Sequence, residues 1–356
     1  MICLYGQAGV GSFAAVTNGM REAIEEAGLL AGFQRSDEAG VMDERSLQGL
    51  DAPVAVVCGD PGYVSNVYTG HKLRYLVLAP NSNGIPPIVK AFLTQEHMGR
   101  TRLDGFLAPS DWATEVLRRE FPEHDVITSP HGVNGAFRYG RNQAMREALH
   151  ADWHEGKFYV LHVTSTGSDR KGTPQLIEAW RKLDWHKGRL VIYCHPTYLA
   201  QHQRVVKGLR NVAAMPTMSM TNEDMYLNYS SAHVVCQPSR AEGFGMVPLE
   251  ALCSGVPIVA TGTTGHGQYI KEEGYPLGNA YVYSGDDGPS DDYVGATAPM
   301  VKVDEICNAL EYARSEWEML QADAKEQAPA LTEKWTWHKQ NEPALRKLVA
   351  KAAEDT

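Results

Sequence analysis

Short apolar segments alternate with helical patterns along most of the chain, and this alternation constrains the fold more than any other feature. In the first half, apolar runs such as MICLYG, APVAVVCGD and YLVLAP are separated by stretches such as AAVTNGMREAIEEAG. The same order begins again with FYVLHVT at 158–164, after a polar interval near residues 138–156. Strand–helix alternation is typical of parallel sheets covered by helices, so the sequence predicts an α/β protein with two such sheets.

The length of the chain points to two domains. At 356 residues it exceeds the size of about 300 residues above which one hydrophobic core rarely suffices. We expect an N-terminal Rossmann-like domain over 1–150, on the acceptor side, and a C-terminal Rossmann-like domain over 157–330. Ligands of open parallel sheets bind beyond the carboxyl ends of the strands, so the expected site is a cleft between the domains. Residues 284–299, SGDDGPSDDYVGATAP, are rich in Gly and Asp and predict an exposed loop.

Composition and charge restrict the class of protein. Hydrophobic residues at 43% and charged residues at 21% are typical of a globular protein. The sequence opens with the apolar run MICLYG and shows neither a signal-peptide pattern nor a transmembrane segment, so we expect a cytoplasmic location. The six cysteines are scattered through apolar runs, which favours buried free thiols over disulfides or zinc ligands. A net charge of −10 gives no support to binding of polyanions by bulk charge.

The segment 239–266, SRAEGFGMVPLEALCSGVPIVATGTTGH, carries the clearest chemical signal. Gly243 and Gly245 fit a turn in which the backbone approaches a ligand closely. The run MVPLEAL that follows has helical spacing, so the turn is expected to open a helix. Unpaired N–H groups at a helix N-terminus form a ready site for phosphate. Glu242 in the turn and Glu250 on the helix then provide two carboxylates about two helical turns apart.

This segment resembles the Glu-x7-Glu signature of retaining glycosyltransferases of family 4 (glycosyl transferases group 1), which have the GT-B fold. The usual form of that signature is S-x-x-EGFG-x-x-x-LEA-x-x-x-G-x-P. The positions that match are Ser239, Glu242, Gly243, Phe244, Gly245, Leu249, Glu250, Ala251, Gly255 and Pro257. Residues 164–172, TSTGSDRKG, resemble the phosphate-binding RKG segment of the same family. The resemblance implies two Rossmann-like domains facing a central cleft, with the C-terminal helix, about 335–356, crossing back to the N-terminal domain.

The resemblance also implies an activity of the EC 2.4 class, a hexosyl- or pentosyltransferase. Such an enzyme moves a sugar from a nucleotide-diphosphate sugar to an acceptor hydroxyl with retention at the anomeric carbon. Arg170 and Lys171 would neutralise the leaving diphosphate, Glu242 would bind sugar hydroxyls, and these three residues are the expected catalytic group. Glu250 would bind the ribose hydroxyls. The further positions expected at the donor are Gly11, Ser12, Ser165, Met218, Ser219, Gly243, Phe244, Gly245, Met246 and Val247.

Some positions depart from the family pattern. Family members commonly carry an arginine about six residues before the lysine, where this chain has Ser165, so either Arg170 does that work alone or the donor lies differently. Many relatives carry a histidine after the fourth strand, where this chain reads LAPNSNG, and Asn81 or Asn83 is the candidate replacement. For His266, which follows the signature, a packing or surface role is favoured over contact with the acceptor or phosphate.

Other functions stay open at this stage. The segment Gly9-x-Gly11-x-x-Ala14 is a weak dinucleotide fingerprint, so a nucleotide-binding oxidoreductase is the alternative from another class. A GT-B epimerase or a non-catalytic relative is a third. We expect no metal and no cofactor, because no Cys/His spacing suits a metal site and solvation is favoured for Asp286, Asp287, Asp291 and Asp292. The acceptor could be a saccharide, a lipid-linked sugar, a protein or a modified nucleic acid, including a hydroxymethylated DNA base. The oligomeric state is also open.

Overall fold

The chain folds into two compact units. The structure is a computed structural model, and it describes residues 1–7, 12–36, 51–59, 70–80, 82–94, 103–141, 157–164, 169–217, 220–270, 279–282, 284–289 and 296–354. One unit comprises Met1–Gly132 with Lys334–Thr356, and the other comprises Val133–Glu333. The two units divide between Gly132 and Val133, ahead of the predicted domain boundary near residue 150.

Each unit contains a six-stranded parallel sheet. The first sheet has the order β2-β1-β3-β4-β5-β6 and consists of β1 (Ile2–Gln7), β2 (Leu30–Ser36), β3 (Val54–Cys58), β4 (Leu73–Val77), β5 (Gly105–Ala108) and β6 (Asp125–Thr128). The second sheet has the order β12-β11-β10-β7-β8-β9 and consists of β7 (Phe158–Thr164), β8 (Gly188–Cys194), β9 (Val212–Pro216), β10 (Val234–Gln237), β11 (Ile258–Ala260) and β12 (Asn279–Tyr281). All pairings within both sheets are parallel, which confirms the predicted α/β class.

The described helices follow strands, except that the last three helices follow one another. They are α1 (Ser12–Glu26), α2 (Pro87–Thr94), α3 (Asp111–Glu120), α4 (Thr173–Leu183), α5 (Pro196–Val206), α6 (Asn222–Ser231), α7 (Met246–Cys253), α8 (Val303–Ser315), α9 (Trp317–Lys334) and α10 (Trp337–Glu354). Crossover helices of this kind cover the faces of a parallel sheet, so its inner strands are buried on both sides. Every residue of β3 is accordingly buried.

The C-terminal helix α10 belongs to the first unit, as predicted. It packs on α1, where a Cβ built on Gly19 would lie 1.9 Å from the ring of Trp337, so the absence of a side chain permits this close approach. Near the end of the helix, the ammonium of Lys351 contacts the Asp125 carboxylate at 2.9 Å and the Tyr75 hydroxyl at 3.0 Å. These contacts tie the last helix to the sheet of the N-terminal unit.

In the second unit, the register of the central strands aligns the ends that carry the site. Val160 of β7 pairs with Val234 of β10, and the Gln237 side chain donates to the Val163 carbonyl at 3.0 Å. The carboxyl ends of β7 and β10 therefore meet at one edge of the sheet. Beneath them lies a core to which Val160, Cys236 and residues of α4 and α8 contribute.

One local prediction was wrong, and one strand was not predicted. The segment 284–299, predicted as an exposed loop, contains strand β13 (Ser284–Pro289), which pairs with β14 (Thr297–Val301) in an antiparallel hairpin. The exposed position of Asp286 and Asp287 agrees with the prediction of solvated acids. Strand β2 was not predicted, because it lies at the edge of its sheet and its sequence includes polar residues.

Candidate active site

The signature segment connects β10 to α7 at the carboxyl edge of the second sheet. Gly245 is the residue before the helix and has φ +84, a left-handed conformation that glycine adopts at little cost. The predicted turn and helix are therefore present, with Met246 and Val247 in the first helical turn. Phe244 is buried beside the Tyr269 ring, at 5.6 Å between centroids, so its side chain serves packing.

The loop after β11 holds the backbone of Glu242 in place. The Glu242 amide donates to the Thr264 hydroxyl at 3.0 Å, and the Gly265 amide donates to the Glu242 carbonyl at 2.8 Å. A Cβ on Gly265 would lie 2.4 Å from the Gly243 carbonyl oxygen, so the two loops touch through their backbones. The glutamate is positioned by peptide groups and a hydroxyl.

The side chain of Glu242 lies between two cations. Arg170 Nη1 is 3.3 Å from one carboxylate oxygen and also donates to the Ala241 carbonyl at 3.0 Å, while Lys171 Nζ contacts the other oxygen. All three charged groups are at least 87% buried. Burial alone would raise the pKa of Glu242, but the charges of Lys171 and Arg170 outweigh it and lower the pKa to about 2. Glu242 is thus ionised at all physiological pH values.

A fully buried arginine braces the turn that carries the two cations. The guanidinium of Arg240 pairs with Asp169, the first residue of the short 3₁₀ turn 169–171, and donates to the carbonyls of Pro289 at 2.7 Å and Pro299 at 3.0 Å. The Arg240 amide donates to the Arg170 carbonyl at 2.8 Å. Arg240 was not predicted as a site residue, although its place inside the signature segment is a signal that could have identified it.

Glu250 occupies a different electrostatic environment from Glu242. It lies on α7 and is only partly buried, and the Tyr229 hydroxyl donates to Glu250 Oε2 at 3.0 Å. Loss of hydration raises the pKa of Glu250 to about 7, and the hydrogen bond from Tyr229 only partly opposes this effect. The carboxyl group therefore changes its charge near neutral pH.

His266 is fully buried against the signature turn, so the predicted packing role is the one that the structure supports. Its Nδ1 lies 3.1 Å from the Thr261 carbonyl, and burial lowers its pKa to about 4, so the ring is neutral at physiological pH. A Cβ on Gly245 would lie 2.0 Å from the His266 ring. The hydroxyl of Tyr269 donates to the Gly245 carbonyl from the same side. Together these aromatic residues fix the N-terminus of α7.

The structure brings Arg170, Lys171 and Glu242 into direct contact, and Glu250 follows on the adjoining helix. Ser12 begins α1 in the other unit. Asn83 accepts a hydrogen bond from Trp112 Nε1 at 3.2 Å. The predicted positions that lie outside the described residues are Gly9, Gly11, Asn81, Ser165, Met218, Ser219, Asp291 and Asp292. Their roles stay predictions.

Several solved structures share the fold of this chain. A glycosyltransferase from Rickettsia africae superimposes with a TM-score of 0.69 at 12% identity, covering 100% of this chain and 99% of that one. HepE from Anabaena, in complex with UDP and glucose, gives 0.67 at 11% identity and covers 100% and 99%. Sucrose-phosphate synthase from Thermosynechococcus elongatus gives 0.63 at 16% identity and covers 99% and 98%. The fold is that of the GT-B glycosyltransferases, as predicted.

The sequence itself assigns the family. Residues 111–342 match the family model described as "Family 4 Glycosyltransferase in conflict systems", and the chain belongs to that family. It is therefore a glycosyltransferase, and this decides against the oxidoreductase alternative. Comparison with curated proteins gave no match. Among the helices in the described ranges, none combines the length and apolar character needed to cross a membrane.

Proposed function

We propose that this glycosyltransferase transfers a sugar from a nucleotide-diphosphate sugar to an acceptor hydroxyl with retention of configuration and without a metal ion. The observation that carries the proposal is the buried cluster of Arg170, Lys171 and Glu242, next to the N-terminus of α7. Two fixed cations and a helix N-terminus are suited to the charge that develops on a leaving diphosphate. The Anabaena protein with the same fold was crystallised with UDP-glucose, a donor of this kind.

The two glutamates support different contacts to the donor. Glu242 is held ionised by its cations, so it can accept hydrogen bonds from sugar hydroxyls but has no proton to donate. The same pairing lowers its reactivity as a nucleophile, which favours same-face attack assisted by the departing phosphate over a covalent glycosyl-enzyme. Glu250, about two turns along from Glu242, is proposed to bind the ribose hydroxyls, and the backbone from Phe244 to Val247 the sugar and phosphate.

The same cluster supports a reaction that needs no metal ion. Arg170 and Lys171 supply the positive charge that a divalent ion provides to the diphosphate in other enzymes. The acceptor is not specified by these side chains, so a saccharide, a lipid-linked sugar, a protein and a modified nucleic acid are all retained. The family description names conflict systems and leaves the acceptor open in the same way.

The test is incubation of the protein with a panel of UDP-, GDP- and ADP-sugars, with and without EDTA. Slow hydrolysis of one donor is expected by mass spectrometry, unchanged by EDTA, and nuclear magnetic resonance should show that the released sugar first appears as the donor's own anomer. Thermal shift with UDP, GDP, ADP and NAD provides the control for binding. Donor hydrolysis that EDTA abolishes would overturn the metal-free mechanism, and release of the opposite anomer would overturn retention. Stabilisation by NAD alone would overturn the donor class.

A further inference from the structure

A hydrogen bond joins Tyr229 on helix α6 to Glu250 on helix α7. Tyr229 lies on α6 and is 1% exposed, and its ring packs against that of Phe137 at 5.8 Å between centroids. Helix α6 begins with a capping box in which Thr221 and Asp224 bond each other's side chain and backbone. The capping box fixes the start of the helix, the Phe137 ring packs against the phenol, and the phenol hydroxyl reaches Glu250 Oε2 at 3.0 Å.

The carboxylate of Glu250 depends on this one donor. Within the described residues, Tyr229 is the group that donates a hydrogen bond to the Glu250 side chain. Glu242, eight residues earlier, has two cations instead. A carboxylate held at one oxygen by a rigid phenol keeps its second oxygen in a defined direction. Each carboxylate oxygen can accept more than one hydrogen bond, so a carboxylate oriented in this way can still accept from two neighbouring hydroxyls.

The titratable groups around Glu250 are all neutral at physiological pH. They are Tyr229 on α6, Cys253 on α7 itself and Tyr269 in the segment after β11, and burial raises the pKa of each. Among the other elements packed on α7, β10 contributes the buried Cys236, whose pKa is also raised by burial. β11 and the 3₁₀ turn Gly135–Phe137 contain no ionisable side chain. Among the residues that the structure describes, no charged side chain compensates for the charge of Glu250.

We propose that Tyr229 is a positioning residue of the nucleotide site, which orients the Glu250 carboxylate toward the ribose hydroxyls of the donor. The hydrogen bond from Tyr229 also favours the ionised form of Glu250, so nucleotide affinity should depend on pH near neutrality. This inference rests on the proposed function, because it takes Glu250 as the ribose ligand. The carboxylate accepts stronger hydrogen bonds from the two hydroxyls than the protonated carboxyl group does, and burial raises the pKa of Glu250 to about 7. Affinity should therefore fall as pH decreases through 7, by up to about tenfold per pH unit.

The matched variants are Tyr229→Phe and Tyr226→Phe. Both tyrosines lie on α6 and are 1% exposed, but the Tyr226 hydroxyl donates to the Arg141 backbone carbonyl at 2.6 Å and does not contact Glu250. Each change removes one buried hydroxyl from the same helix. An effect on nucleotide binding that occurs only in Tyr229→Phe therefore reports the contact with Glu250.

The measurement is isothermal titration calorimetry of the full chain between pH 5.5 and 9. The probes are UDP, GDP and ADP, followed by the 2′,3′-dideoxy form of whichever nucleotide binds. The quantity compared is the affinity for the nucleotide divided by the affinity for its dideoxy form, and this ratio measures the contribution of the ribose hydroxyls. Both ligands carry the same diphosphate, so the titration of the diphosphate near pH 6 cancels in the ratio. In wild type and Tyr226→Phe, this ratio should fall below pH 7. In Tyr229→Phe it should be about 3- to 10-fold smaller at pH 7, with the midpoint moved to higher pH.

The outcomes separate this inference from the function on which it rests. Failure of wild type to bind any of the three nucleotides contradicts the proposed function itself. If nucleotide binds and the two variants Tyr229→Phe and Tyr226→Phe show the same affinity ratio and the same pH midpoint, the proposed role of Tyr229 is overturned. If Tyr229→Phe fails to fold, Glu250→Gln provides the test. In this variant the ratio of nucleotide to dideoxynucleotide affinity should be small and independent of pH. A wild-type pH profile in Glu250→Gln overturns the inference.

Discussion

Glu242→Gln replaces the central anion of the cluster with a neutral side chain of the same shape. The pKa of Glu242 is lowered from 4.5 to about 2, which corresponds to about 3 kcal/mol of preference for the charged over the uncharged form. Glutamine resembles the uncharged form and leaves Arg170 and Lys171 adjacent without their counter-ion. We therefore expect Glu242→Gln to lower the free energy of unfolding at pH 7 by about 3 kcal/mol.

The dependence on pH provides an internal check. A carboxyl group with a lowered pKa stabilises the folded state above its unfolded pKa of about 4.5, and this contribution is lost as pH falls toward 2. The difference between wild type and Glu242→Gln should consequently shrink between pH 4.5 and pH 2. Urea unfolding at several pH values measures it. Glu178→Gln is the control, because the exposed Glu178–Arg181 pair should contribute less than about 1 kcal/mol.

The same variant should separate turnover from nucleotide binding. Loss of the sugar contact should lower turnover by about 100-fold or more. The affinity for the nucleoside diphosphate alone should stay equal or rise, because Arg170 and Lys171 are no longer paired with the Glu242 carboxylate. Steady-state kinetics with the active donor and calorimetry with its diphosphate give the two quantities. A variant as stable as wild type at pH 7, or one that loses diphosphate affinity in parallel with turnover, would refute this account of the cluster.

Lys171→Met removes a cation at the leaving group and keeps most of the side-chain length, so it should lower kcat by about 100- to 1,000-fold. The control is Lys182→Met, which removes an exposed partner of Asp304 and should leave kcat unchanged. Near-normal kinetics in Lys171→Met would exclude Lys171 from the site. Gly245→Ala should destabilise the protein by more than Gly208→Ala, since both glycines have φ near +85 but only Gly245 faces a side chain, His266, at 2.0 Å. Equal changes in melting temperature for the two glycine variants would show that the His266 contact has no energetic weight.

The fold could be predicted where burial leaves a local trace. Strands such as β3 and β7 lie inside parallel sheets, so both faces are apolar and the sequence shows continuous hydrophobic runs. The hairpin of β13 and β14 leaves no such trace, because its sequence is that of a Gly- and Asp-rich loop. Its carbonyls at Pro289 and Pro299 accept hydrogen bonds from Arg240, about fifty residues away in sequence. A partner at that separation is not visible in the local pattern.

The site was predictable to the extent that it follows a family motif. The turn, the helix that it opens and the cation segment were recognised, and the structure places Arg170, Lys171 and Glu242 in contact. The supporting residues were missed because their partners are distant in sequence. Arg240 meets Asp169 across 71 positions, and Tyr229 meets Glu250 from a helix with no motif of its own.

The two signature glutamates illustrate how one short motif can hold carboxyl groups of opposite character. Both lose hydration in the folded protein, which by itself raises the pKa of a carboxyl group. Glu242 contacts two cations in the turn after β7, which keep it ionised at physiological pH. Glu250 accepts a hydrogen bond from the Tyr229 phenol on α6, and its carboxyl group titrates near neutral pH. The difference is set by residues outside the motif, so a chain that matches the signature but lacks a donor at the position of Tyr229 should bind its nucleotide with a different dependence on pH.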